Sequence, residues 1–190
     1  DRDRIATRDW AALVLLSFLG ITCTFSLYHI ALALIDASSV ATLVSMVPLF
    51  SAPISYVYLK EKLGGVAVLC LSMGAAGILL IFMSEERGYD SFLAVLIMCI
   101  AVSCFSLYAV MMKPLNRKMD ARVTTSLSLF IGGLFFIPIL LAKGDPFFRP
   151  MDLETSLSIG YLSFIAVGIA YLFYFMGLHR VNVAKGNSLL

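Results

Sequence analysis

The sequence predicts an all-α membrane protein, a polytopic helical bundle, and three observations predict it. Apolar residues make up 61% of the 190-residue chain and charged ones only 14%. The mean hydropathy of +0.95 lies far above that of an average soluble domain. Six runs free of Asp, Glu, Lys and Arg, each at least 20 residues long, are separated by short charged segments; about 20 residues at 1.5 Å each cross a hydrocarbon layer about 30 Å thick. The alternating segments of about ten residues that a membrane β-barrel needs are missing from the sequence. A helix satisfies its own backbone in hydrocarbon, so helices are the natural form for such runs.

The first run, Trp10 to Ile35, follows a charged start that has neither an initiating Met nor a signal-peptide cleavage pattern. The last residues, Gly186 to Leu190, open a seventh apolar run, so the sequence reads as an internal piece of a longer protein. The second run, Ala37 to Leu59, begins after a polar Asp36 junction and carries Pro48 and Pro53. Each proline removes an amide donor and crowds the preceding turn, which predicts a bent or loosened helix suited to lining a pathway. The third run, Leu63 to Ser84, contains Cys70, Gly74 and Gly77, and the fifth, Val123 to Ala142, contains Gly132 and Gly133; small residues let membrane helices approach closely. The fourth run is Ser91 to Met112 and the sixth Thr155 to His179.

Orientation follows from the basic residues. With the N-terminal segment in the cytoplasm, 11 of the 14 Lys and Arg residues fall in inside segments and only Arg87, Lys143 and Arg149 outside, as the positive-inside rule requires. Trp10, Tyr56 and Tyr58 then lie near the inner interface, and Tyr89, Phe147 and Phe148 near the outer one.

A faint internal repeat accompanies this topology. Leu16 to Val44 aligns without a gap on Leu162 to Leu190, matching Leu16, Ser17, Phe18, Tyr28, Leu32 and Leu43 with identical residues. The first and sixth runs cross in opposite directions, so the pattern is that of inverted repeats, whose binding site lies near the midplane between the halves.

The stretch Tyr28 to Lys62 carries a small-residue junction, Ala37-Ser38-Ser39, then Pro48-Leu49-Phe50, then a closing Glu61. It resembles the end of one repeat in the EamA branch of the drug/metabolite transporter superfamily, and the resemblance extends over essentially the whole chain. That resemblance implies ten helices in two inverted halves. Residues 1–84 would hold helices three to five of the first half, and residues 91–190 helices six to eight and the start of nine, giving about six to seven helices here. The implied activity is secondary transport: export of amino acids or related metabolites across the inner (plasma) membrane by alternating access. A lipid-linked carrier or flippase, and a non-transporting membrane scaffold, remain as alternatives.

No zinc-protease, nucleophile-elbow or phosphate-loop motif occurs, and the runs contain no acid at all. An enzyme, a cofactor or a metal site is therefore not expected. The four cysteines, Cys23, Cys70, Cys99 and Cys104, read as small apolar residues. A net charge of +2 gives no ground for nucleic-acid binding. The expected partners are a small-molecule substrate and the lipid bilayer, with a homodimer left open.

The substrate-binding candidates are Tyr28, His29, Ser45, Pro48, Tyr108, Tyr174 and Asn187. His29 is ionisable within a span, a functional signal by default, against the plain alternative of a hydrogen bond near the interface. Pro48 lies at the centre of its run, where the carbonyl it frees and Ser45, Ser51 and Ser55 offer polar atoms; the plain alternative is a packing kink. Tyr28 and Tyr174 hold equivalent repeat positions, and Tyr108 is a mid-span aromatic. Asn187 flanks the start of the seventh run. Glu61, between Lys60 and Lys62, reads equally well as a solvated charge at a helix end.

Overall fold

A computed structural model describes residues 7–61, 64–84, 89–144 and 150–178. Among these residues there is no strand. Five helical segments are long and apolar enough to cross a membrane: Thr7–Leu32, Ala37–Tyr58, Phe92–Lys118, Ala121–Ala142 and Leu153–Gly177. They coincide with five of the six uncharged runs. The third run folds as a single helix, α5 (Gly65–Ser84), which packs against α4 (Val47–Tyr58). The expected seventh run with Asn187, and His179 at the end of the sixth run, lie outside the described residues.

The first span is interrupted. It consists of α1 (Thr7–Ser17), a π-helical segment (Phe18–Cys23) and α2 (Thr24–Leu32). The sixth run has the same construction: α9 (Leu153–Tyr161), a π-helical segment (Leu162–Ile169) and α10 (Ala170–Leu178).

The second span begins at Asp36, whose carboxylate accepts the Ser39 N–H at 2.8 Å and so satisfies one of the open amides of α3 (Ala37–Val44). It breaks after Val44 and resumes as α4 with Pro48 at its second position. Pro is tolerated there because first-turn amides have no intrahelical acceptor. Pro53 stays inside α4. The chain leaves α4 through Lys60 at φ 55°, a left-handed residue that stops the helix.

The fourth run forms α6 (Tyr89–Lys118), 30 residues long. It outlasts its uncharged stretch because the polar residues at its end find buried partners. Lys113 pairs with Glu61 at 2.5 Å, and the Asn116 side chain accepts from the Thr124 hydroxyl. The fifth run divides at Phe135 into α7 (Ala121–Leu134) and α8 (Phe136–Lys143), which ends on the left-handed Gly144.

Helix α6 is the axis of the bundle. The first π segment, α2, α3 and α4 all pack on it, while α7 packs on α1 and α10. Met98, Ala101, Val102, Phe105, Tyr108 and Met112 of α6 are buried. Two glycines permit the closest approaches. A Cβ on Gly20, in the first π segment, would overlap the Tyr108 ring, and one on Gly132 of α7 would overlap Ile21. The Thr22 hydroxyl donates to the Gly132 carbonyl at 2.8 Å, which fixes that contact. Large apolar residues face outward from α9 to α10, Leu153, Phe164 and Phe173 among them, as expected of a surface that meets hydrocarbon.

Candidate functional site

A cavity of about 280 Å³ forms where four segments meet. Thr24, Phe25 and Tyr28, in the first turns of α2, line one wall. Ala170, Tyr171 and Tyr174, in the first turns of α10, line a second. Helix α6 contributes Met98, Ala101, Val102 and Phe105. Val44 and Val47, on either side of the break between α3 and α4, complete it.

Two of these walls occupy the same register. At the single offset that places Leu16 on Leu162, Thr24, Phe25 and Tyr28 fall on Ala170, Tyr171 and Tyr174. The first π segment falls wholly within the second. A π turn takes one more residue than an α turn to close its hydrogen bond, so it rotates everything downstream relative to an uninterrupted helix. Both walls therefore begin just after such a rotation.

Among the described residues the lining includes no Asp, Glu, Lys, Arg or His. It is dominated by rings in mutually inclined planes. Phe25 and Tyr171 have centroids 6.4 Å apart, and Phe105 stands 6.0 Å from Tyr171 and 6.4 Å from Tyr174. The Thr24 hydroxyl is placed to donate to the carbonyls of Leu19, at 3.2 Å, and Ala101, at 3.4 Å.

The sequence candidates separate into groups. Tyr28 and Tyr174 line the cavity. Tyr108 lies behind it, with no exposed surface, its hydroxyl 2.8 Å from Ser128 and its ring 5.3 Å from that of Phe175. Ser128 in turn accepts from Ser17 at 3.0 Å, so Tyr108 joins α6, α7 and α1 beneath the aromatic walls. His29, Ser45 and Pro48 do not line the cavity. The exposed His29 ring holds its own helix, Nδ1 lying 2.6 Å from the Phe25 carbonyl. The exposed Ser45 hydroxyl donates to the Thr42 carbonyl at 2.6 Å. Pro48 follows Val47, so the break it accompanies brings valine side chains, and not serine hydroxyls, to the cavity.

Sequence reasoning missed Phe25, Phe105 and Tyr171. The repeat offset that singled out Tyr28 and Tyr174 carries Phe25 onto Tyr171 as well. Glu61 was also undervalued. Its carboxylate is 13% exposed and accepts from Lys113, which is 4% exposed, at 2.5 Å and from the Ser55 hydroxyl at 2.6 Å. At the same end of α6, Lys118 meets Asp9 of α1 at 2.9 Å. These pairs clamp the start of α1 and the end of α4 to the end of α6. Cys23, Cys99 and Cys104 are free thiols. Among the described residues no group of His, Cys, Asp and Glu is placed to hold a metal ion.

Comparison with known proteins adds a family. The model described as the EamA-like transporter family matches residues 1–83 and 92–190. Over 190 residues the chain is 22% identical to an uncharacterized transporter of Clostridium kluyveri, covering 97% of this chain and 61% of that one. Over 168 residues it is 27% identical to the uncharacterized transporter YdfC of Bacillus subtilis, covering 86% of this chain and 53% of that one. The chain thus spans between half and two thirds of the length of these curated relatives. No solved structure matches it.

Proposed function

Because the chain belongs to the EamA-like transporter family, we propose that its protein exports small organic metabolites across the inner (plasma) membrane by alternating access, with the aromatic cavity as the substrate site. Membership makes it a multi-pass membrane transporter, and the relatives from Clostridium kluyveri and Bacillus subtilis are described as uncharacterized transporters. One observation carries the reading of the site. Equivalent residues of two spans, oppositely directed by the distribution of basic residues, line one cavity. Inverted repeats place substrate at their shared axis near the midplane, where rocking of one half against the other exposes it to each side in turn. In this reading residues 1–84 and 91–190 belong to the two halves. Tyr28 and Tyr174 touch substrate, and Tyr108 braces the walls from behind. The starting panel takes in amino acids, amines and neutral aromatic metabolites.

The test is counterflow in vesicles reconstituted with the full-length protein, across a labelled metabolite panel. Accumulation of at least one compound, abolished by Tyr174→Ala, is expected. No accumulation above protein-free vesicles for any compound, or accumulation unaffected by Tyr174→Ala and Phe105→Ala together, would overturn the proposal.

A further inference from the structure

We propose that the cavity selects compact aromatic solutes that carry no carboxylate or phosphate; this rests on the reading of the cavity as the substrate site and narrows it. Three properties of the lining point there. It presents five rings, Phe25, Tyr28, Phe105, Tyr171 and Tyr174, from three different helices. Inclined rings of this kind hold another ring by offset or edge-to-face contact, and their negative faces also favour a carbon-shielded cation.

The second property is the lack of a counter-charge. Among the described lining residues none is basic, and two lysines of the same helix α6 are engaged in ion pairs. Lys113 is committed to Glu61 and Lys118 to Asp9, at the end of α6. An anionic group entering an apolar cavity without a cation loses most of its hydration, and a few hydroxyls replace only part of it. A zwitterion meets the same penalty at its carboxylate. The third property is size. About 280 Å³ lies just below the usual range for ligand pockets, roughly 300–1,000 Å³, which suits a single ring with a short substituent.

A matched set of probes isolates the charge: benzyl alcohol, benzyltrimethylammonium, benzoate and phenylalanine share one ring and differ in what it carries. Titration calorimetry on the purified full-length protein should show saturable binding of the alcohol and the ammonium, with benzoate and phenylalanine at least about tenfold weaker. Phe105→Ala and the more conservative Phe105→Leu should each weaken binding, the first by about tenfold. Phe173→Ala should leave it unchanged, because Phe173 neighbours Tyr174 on α10 but is 69% exposed and outside the cavity.

Binding of benzoate or phenylalanine as tight as that of the alcohol and the ammonium would overturn the inference, as would binding of none of the four. So would binding indifferent to both Phe105 variants. The two readings fail separately. Selective binding without vesicle uptake of any compound would remove transport and leave the selectivity. Uptake of aliphatic amino acids with no preference for the ring would do the reverse.

Discussion

The two aromatic walls of the cavity share a register and a π segment but differ in how they are held. In the first span, 33% of the most apolar stretch is buried in the bundle; in Leu153–Gly177 the figure is 6%. The first wall is fixed by direction-specific contacts: Gly20 beneath the Tyr108 ring, Ser17 to Ser128, Thr22 to the Gly132 carbonyl, and Asp9 to Lys118. The second is held mainly through rings. Phe175 is fully buried between Tyr108, Tyr171 and Tyr174, at centroid distances of 5.3, 6.1 and 4.8 Å. Hydrogen bonds and glycine contacts fix one register, whereas aromatic faces tolerate sliding at modest cost. Equivalent positions thus supply two walls held by different kinds of contact.

The sharpest way to break this comparison is to add a side chain to each wall. Gly20→Val drives two methyl groups into the Tyr108 ring and should destabilise the protein by about 3 kcal/mol. Gly177→Ala in α10, the helix that bears the second wall, where a new Cβ meets nothing within 4 Å, should stay within about 0.5 kcal/mol of the parent. Thermal unfolding in detergent reads both. Equal losses would show that the second wall is as tightly packed as the first.

The frame behind the first wall comes next. Lys113→Met removes the buried cation 2.5 Å from the Glu61 carboxylate, and should cost about 2 kcal/mol. That is less than the 3–5 kcal/mol of a fully buried pair, because Glu61 retains 13% exposure. Restoring stability with the double variant Lys113→Met, Glu61→Met would confirm that the penalty is the stranded charge. Failure of the double variant to recover any of it would point instead to lost packing.

The smallest effect concerns acid. Ser38 and Ser39 donate to Asp36, between the first two spans, and hold its carboxyl well below the ordinary carboxylate range. Asp152, ahead of the sixth run, is lowered by the Thr155 hydroxyl. A pKa lower in the folded than in the unfolded chain stabilises fully above the unfolded value, about 4. That contribution is lost as pH falls through the folded value. The Tm gap between the parent and Asp36→Ala should therefore be constant from pH 7 to 5 and shrink below about pH 4. A gap that grew on acidification would contradict the assignment.

Much of this architecture was legible because hydrocarbon imposes a length. Runs of 20 or more uncharged residues mark the spans, and Pro48 marks the break that brings Val44 and Val47 to the cavity. The repeat paired Tyr28 with Tyr174, and both line the cavity. The π segments were not legible: Phe18 to Cys23 carries Gly20 but no proline, and Leu162 to Ile169 reads as ordinary apolar helix. Phe25, Phe105 and Tyr171 were hidden for a related reason, since an apolar cavity and a lipid-facing surface call for the same residues. Glu61 looked solvated because its local neighbours are Lys60 and Lys62, whereas its buried partner, Lys113, lies on a separate helix. Conversely, His29, Ser45 and Pro48 were chosen for polarity or helix breaking. In the structure His29 and Ser45 spend their polar atoms on their own helices.

In the proposed alternating-access cycle the walls bearing Phe25 and Tyr171 move relative to each other as substrate passes. Phe25→Cys and Tyr171→Cys, introduced together into full-length protein whose own cysteines have been replaced, can be bridged with a short bifunctional thiol reagent while counterflow is measured. Bridging should stop transport, and cleavage of the bridge should restore it. Transport by the bridged protein at the unbridged rate would contradict the account.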